Sequence, residues 1–155
     1  MNVGHYCNRS VVIVSGEETA TAAAVLMRRY HVGTVVVVEE RDEQSHPVGV
    51  VTDRDLVIEI MATELDPDAM TVGDLITDPP VLAREDDSLF DTLEVMQRKG
   101  VRRVPVVSGS GVLVGIITAD DVLGLLAEIL DDLAAMVERQ RDLEFRRRPS
   151  YPATD

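Results

Sequence analysis

Two threonine–aspartate pairs, Thr52 with Asp55 and Thr118 with Asp121, set a hydroxyl and a carboxylate three residues apart. A threonine hydroxyl can donate to a phosphate oxygen. An ionised carboxylate is acceptor-only and suits the two hydroxyls of a ribose. The same spacing is also the capping-box pattern, in which threonine caps a helix and the acid bonds back to the cap's own N–H. The two readings share one origin, because the free N–H groups and positive dipole end of a helix start attract anions. Spacing alone therefore leaves both open.

Each pair sits in a longer phrase, and the phrase repeats. Gly49-Val50-Val51-Thr52-Asp53-Arg54-Asp55 returns as Gly115-Ile116-Ile117-Thr118-Ala119-Asp120-Asp121. Repetition of this kind governs the reading of the whole fold. Thr19 matches Ser88, Met27 matches Met96, Val32 matches Val101 and Val37 matches Val106, at an offset of 69 that falls to 66 by the second motif. The later copy has thus lost three residues ahead of its last strand, and two related units cover most of the chain.

The pattern resembles a tandem pair of cystathionine β-synthase (CBS) domains, the arrangement called a Bateman module. The matching segments are 18–38 with 46–60, and 78–107 with 112–126, and Val101-Arg102-Arg103-Val104-Pro105-Val106-Val107 is a typical second-strand phrase of that family. The resemblance implies an α+β fold of two β-α-β-β-α repeats packed through their sheets with pseudo-two-fold symmetry. It places the repeats at 8–64 and 78–130, joined by a linker at 65–77. It also implies a regulatory, ligand-sensing module with no catalytic activity of its own.

Carried over residue by residue, the resemblance gives Thr52 and Asp55, and Thr118 and Asp121, the phosphate and ribose roles. The lead-in segments 10–13 and 79–82, with Val12, Ile13, Val81 and Leu82, would wall the adenine. With no tryptophan and two phenylalanines, that wall is aliphatic. Arg102 and Arg103 would supply cations, the alternative being a solvated face beside a strand; their counterparts in the first unit are Gly33 and Thr34. Arg54 favours phosphate and its counterpart Asp120 repels it, so the cleft containing Asp55 ranks ahead of the one containing Asp121. AMP, ADP, ATP, S-adenosylmethionine and dinucleotides all share the adenosine that this motif reads, and no cofactor is required.

The elements that must position these residues are legible from periodicity. Short β-rich runs at 11–14 and 81–83 each precede a helix, Ala20–Tyr30 and Leu89–Lys99. Leu89, Leu93 and Met96 make one apolar stripe, and Ser88 with Asp91 forms a capping-box pattern at its start. Runs at 34–38 and 103–107 read as buried strands. A polar loop at 39–46 and a Ser-Gly turn at 108–111 lead to strands at 48–51 and 112–117. Residues 71–76 read as a short bridging helix.

Composition narrows the functional classes. The chain has 155 residues, 45% of them apolar, and can bury a core. A net charge of −13 argues against general affinity for nucleic acid or anionic membrane. No apolar run approaches a membrane span, no signal peptide is expected, and the single cysteine, Cys7, fits a reducing cytoplasm. Fourteen arginines accompany one lysine, Lys99, a bias shared by salt adaptation and a GC-rich genome. His5-Tyr6-Cys7 brings two metal-capable side chains together, short of the roughly four that structural zinc takes, so a docked N-terminal segment is the reading. No nucleophile–base constellation stands out.

From Asp120 to about Arg147 nothing halts a helix except the mild penalty at Gly124. Val122, Leu126, Ile129, Leu133 and Met136 alternate in steps of four and three, interrupted by Gln140 before Leu143. That stripe either packs on the protein's own core or forms a homodimer contact, and a homodimer is expected. Residues 131–148 form the helical extension, and Arg146-Arg147-Arg148-Pro149 with the tail to 155 is expected to be disordered. The functional expectation is a cytoplasmic sensor that shifts the angle of its units for an unknown protein partner. The alternatives are a scaffold with degenerate ligand sites and a redox or metal switch at Cys7.

Overall fold

The computed structural model describes residues 1–148, so the tail expected to be disordered, 149–155, lies outside the described residues. The chain divides into two units, one running from Met1 to Ala119 and one beginning at Asp120. The first unit holds two sheets of identical topology. In the first repeat, β1 (Ile13–Ser15) pairs in parallel with β2 (Thr34–Arg41), which pairs antiparallel with β3 (Gln44–Thr52). In the second, β4 (Ala83–Arg84), β5 (Arg103–Val107) and β6 (Leu113–Thr118) do the same. The parallel pair in each sheet is bridged by a helix, α2 (Ala20–Tyr30) or α4 (Leu89–Lys99), as a parallel crossover requires.

Both helices coincide with their expected spans. Thr19 caps α2 by accepting from Ala22 N–H at 3.1 Å, and Ser88 caps α4 by accepting from Asp91 N–H at 3.5 Å. Each ends on a left-handed residue, His31 at φ 53° or Gly100 at φ 66°. The cores are built from matched positions. Val14, Ala23, Met27, Val35, Val37 and Val51 cluster under α2. Their counterparts Ala83, Thr92, Met96, Val104, Val106 and Ile117 are buried in turn. Both antiparallel pairs carry the same irregularity, between Val37 and Val38 and between Val106 and Val107. In the first sheet Pro47 follows it, a position where a missing N–H is tolerated.

Four expectations about these repeats need correction. The polar loop at 39–46 is an extension of the sheet: β2 and β3 stay paired out to Arg41 and Gln44. Asp42 and Glu43 close the hairpin with φ of 52° and 59°, a two-residue turn whose twist matches the strands. The helix at 71–76 is only a 3-10 turn, Gly73–Leu75. The helix opened by Thr52 is α for Asp53–Asp55 (α3) and then widens to π over Leu56–Met61. The short lead-in strands also start later than expected, leaving Val12, Val81 and Leu82 just outside them.

The two repeats exchange their leading segments. A four-residue helix, α1 (Val3–Tyr6), docks on the second repeat through Val3 N–H to Asp87 O and Gly4 N–H to Glu85 O, at 2.9 and 2.8 Å. The linker docks on the first repeat in the same way, Val72 N–H to Glu18 O and Gly73 N–H to Gly16 O, both 2.8 Å. Each arm then lays one side chain over a strand glycine, Cys7 over Gly115 and Ile76 over Gly49. A Cβ on Gly115 would stand 2.6 Å from Cys7 Sγ and 2.9 Å from Asn8 O. Val3 and Val72 are both fully buried. The N-terminal segment is docked, as its reading required.

The second unit is one helix. α5 (Ala119–Arg147) runs for 29 residues through Gly124, and includes Arg146 and Arg147, which are therefore ordered in helix rather than in a tail. Val122 is its buried residue. From Leu130 to Arg147 every residue is exposed.

Candidate functional site

The Thr52–Asp55 pair forms a complete capping box. Asp55 N–H donates to Thr52 Oγ1 at 3.2 Å, and Thr52 N–H donates to Asp55 Oδ2 at 2.8 Å. The arrangement follows from the sequence: an extended β3 ends on threonine, and the acid three residues later returns to cap it. One carboxylate oxygen is thus committed to the fold. Oδ1 makes no hydrogen bond among the described residues. Neighbouring N–H groups are used too, Asp53 N–H to Gly33 O at 3.0 Å and Arg54 N–H to Asp53 Oδ1 at 2.8 Å. The helical run from Asp53 to Met61 adds its dipole at this end.

Strand alternation decides what else shares the site. Val35, Val37 and Val51 face α2, so Thr34, Val36 and Thr52 face the other side of the sheet. Thr34 lies directly across from Thr52, and Ile13 lies in register with Val36 on that same side. Ile13 is 41% exposed, an open apolar surface beside the polar pair. Val12 sits one residue earlier and accepts from Val36 N–H at 2.9 Å. Thr34 Oγ1 is buried with no hydrogen-bond partner. An unpaired buried hydroxyl costs roughly 1–3 kcal/mol, and it stands here across the strands from Thr52 of the first motif. Sequence reasoning used Thr34 only as the counterpart of Arg103; burial of its hydroxyl was the missing signal.

The second copy differs at corresponding positions. Thr118 ends β6 opposite Arg103, and Ala119 N–H donates to Arg102 O at 2.9 Å, the bond that Asp53 makes to Gly33 in the first copy. The pairs have swapped sizes. A Cβ on Gly33 would stand 2.9 Å from Asp53 Oδ2, so the side chain of residue 53 would have to shift, whereas small Ala119 accompanies Arg102. Arg102 and Arg103 thus flank the Thr118 motif on their own repeat. Leu82, the counterpart of Ile13, is also 41% exposed, and Val81 is half-buried. Arg54 is exposed, and Asp120 and Asp121 lie exposed in the first turn of α5.

A third threonine–aspartate box, unnoticed in the sequence, lies in the linker. Thr71 N–H donates to Asp74 Oδ2 at 3.0 Å and Asp74 N–H to Thr71 Oγ1 at 3.2 Å. The Thr71 backbone N–H and then its hydroxyl hold the Asp74 carboxyl below its ordinary value. This box caps only a 3-10 turn, so the spacing by itself is structural. A groove of about 610 Å³ runs between α2 and the helix after Thr52, lined by Ala24, Val25, Leu56, Ile60, Met61 and Leu65 among others. Its walls are mostly apolar, with Thr21, Arg28 and Glu64 at their polar positions, and it lacks the repeated Thr-x-x-Asp motif. Among the described residues no three histidine, cysteine or acidic side chains gather to hold a metal, and no helix is long and apolar enough to cross a membrane.

Comparison with known proteins agrees with this architecture. Hypoxic response protein 1 of Mycobacterium tuberculosis is 40% identical over 121 residues, covering 78% of this chain and 82% of that protein. A crystal structure of Hypoxic Response Protein I with two coordinated zinc ions matches with a TM-score of 0.69 at 36% identity, covering 79% of this chain and 97% of the other. The Methanopyrus kandleri protein MK0525 is 37% identical over 123 residues; the match covers 79% of this chain and 61% of that longer relative. The CBS domain protein PAE2072 from Pyrobaculum aerophilum, solved with AMP, matches at TM-score 0.70 and 26% identity over 78% of this chain and 89% of the other. The family model described as CBS domain matches residues 3–62 and 72–128, an offset that reproduces the matched arms and strands. The chain belongs to the CBS-domain family and carries two copies of the domain.

Proposed function

We propose that this chain is a regulatory module that binds an adenosine nucleotide at the first-repeat helix start, where Thr52 and Asp55 meet Ile13 and Thr34. One observation carries the reading. A buried Thr34 hydroxyl without a partner shares a sheet face with the capping threonine, beside an open aliphatic wall and a carboxylate oxygen left uncommitted. Asp55 Oδ1 accepts from the ribose, the Thr52 hydroxyl and the Arg54 guanidinium take phosphate with the helix dipole behind them, and Val12 and Ile13 wall the base. Support also comes from PAE2072 and from CBSX2, the latter 27% identical with a TM-score of 0.69, each solved with AMP.

The second repeat offers Thr118, Val81, Leu82, Arg102 and Arg103 as a second site, without a counterpart of Arg54 for phosphate. Binding favours one arrangement of the repeats, and an unidentified protein partner distinguishes the arrangements by its affinity for each. The module works in the cytoplasm as a homodimer and catalyses nothing.

Thermal unfolding of ligand-stripped protein against AMP, ADP, ATP and S-adenosylmethionine tests the site. A ligand specific for the folded state adds about 2.7 kcal/mol at a hundredfold excess over its Kd. Asp55→Ala lowers the ligand-free midpoint through the lost cap, so the readout is the ligand-dependent shift. Affinity is expected to fall about 10- to 100-fold. Equal affinity in Asp55→Ala would rule the assignment out.

A further inference from the structure

The long helix leaves a run of apolar side chains open along its length. Leu126, Leu133 and Leu143 are 45–49% exposed and Leu130, Met136 and Val137 are 59–64% exposed. From Leu130 onward no residue of α5 is buried, and a helix without packing along one face is marginal in water. Leu126, Ile129, Leu133, Met136, Gln140 and Leu143 continue the steps of three and four over about 26 Å of helix.

The charges of α5 are segregated along its length. Asp120, Asp121, Glu128, Asp131 and Asp132 fill its first half with no basic residue, whereas residues 138–148 hold five arginines against three acids. Two such helices side by side in parallel would set acid against acid and arginine against arginine. Antiparallel, each acidic half lies along the other's basic half, and the two helix dipoles oppose.

We propose that α5 pairs antiparallel with α5 of a second copy about a two-fold axis between Ala134 and Ala135. This rests on the homodimer proposed above and is independent of nucleotide binding. In that register Leu126 meets Leu143 of the second copy, Leu133 meets its Met136, and Ile129 meets its Gln140. Asp132 then faces Arg139 of the second copy, twice by symmetry, and Leu130 and Val137 close the other flank. The seam is heptad-like on both strands, so the contact is isologous and stops at two.

Sedimentation equilibrium of the full chain and of exposed-site variants tests this. The wild type is expected to be a dimer, and Leu133→Asp to weaken it at least about 100-fold. Asp132→Arg and Arg139→Asp should each weaken it about tenfold, and the double variant should restore it, because only an antiparallel pair brings 132 to 139. A dimer unmoved by Leu133→Asp would overturn this interface while leaving the homodimer intact. A double variant without recovery would overturn the antiparallel register, and a monomeric or trimeric wild type would overturn the pair itself.

Discussion

The two repeats share a scaffold down to the same sheet irregularity, yet differ wherever a ligand would be read. Counterpart core positions stay buried, with Thr92 in place of Ala23 as the polar exception. At the motif, Gly33 with Asp53 becomes Arg102 with Ala119, Arg54 becomes Asp120, and Thr34 becomes Arg103. After it, nine residues of mixed α and π helix become a 29-residue α-helix. Packing constrains volume within a methyl group or so, whereas residues at strand ends and helix starts are free to change charge. The repeats have therefore kept one fold and acquired two surface chemistries.

The comparison is sharpest at the strand glycines. Gly115→Ala forces both Cys7 and the Asn8 backbone to move, whereas Gly49→Ala meets only the Ile76 side chain. Denaturant unfolding should show Gly115→Ala losing about 2–3 kcal/mol and Gly49→Ala about 1–2. Equal losses would mean that the two arms are equivalent in energy as well as in position. Smaller is the effect at the hairpins. The first repeat strains Asp42 and Glu43 into left-handed backbone where the second uses Gly111 at φ 82°. Glu43→Gly should therefore raise stability by about 0.5–1 kcal/mol, and a destabilised variant would show that the hairpin depends on the glutamate side chain.

The smallest expected effect lies in the linker box. Folding depresses the Asp74 carboxyl through its bonds to Thr71. The stability it adds is present above the unfolded carboxylate pKa and is lost as pH falls through the lower folded value. Asp74→Asn should thus differ slightly from wild type in unfolding midpoint near neutral pH and converge with it in strong acid. A difference that grew in acid would contradict the direction.

Helices and motifs were the legible part, because capping residues and a 3.6-residue stripe are local signals: Thr19, Ser88 and Met96 suffice to bound α2 and α4. The hairpin was hidden because Asp42-Glu43 lacks the usual asparagine–glycine signature and the strand ends, Glu39 to Arg41, are exposed and charged. Widening to π at Leu56 has no sequence mark. Arm exchange was out of reach because its hydrogen bonds join residues as distant as Asn8 and Ile116. At the candidate site, Thr52 and Asp55 were evident, and Thr34 emerged only when strand alternation placed its hydroxyl.

Exchange of the arms also orders events during synthesis. Residues 1–8 leave the ribosome with their hydrogen-bond partners, Glu85, Asp87 and Ile116, still untranslated. At ordinary elongation rates that interval is about 5–20 s. For that time Val3 and Cys7 have no native surface to cover them, and the linker arm, whose acceptors Gly16 and Glu18 are already made, can dock first. The first repeat is thus finished by its successor's leading segment, and the second waits for the chain's own beginning to return and close it.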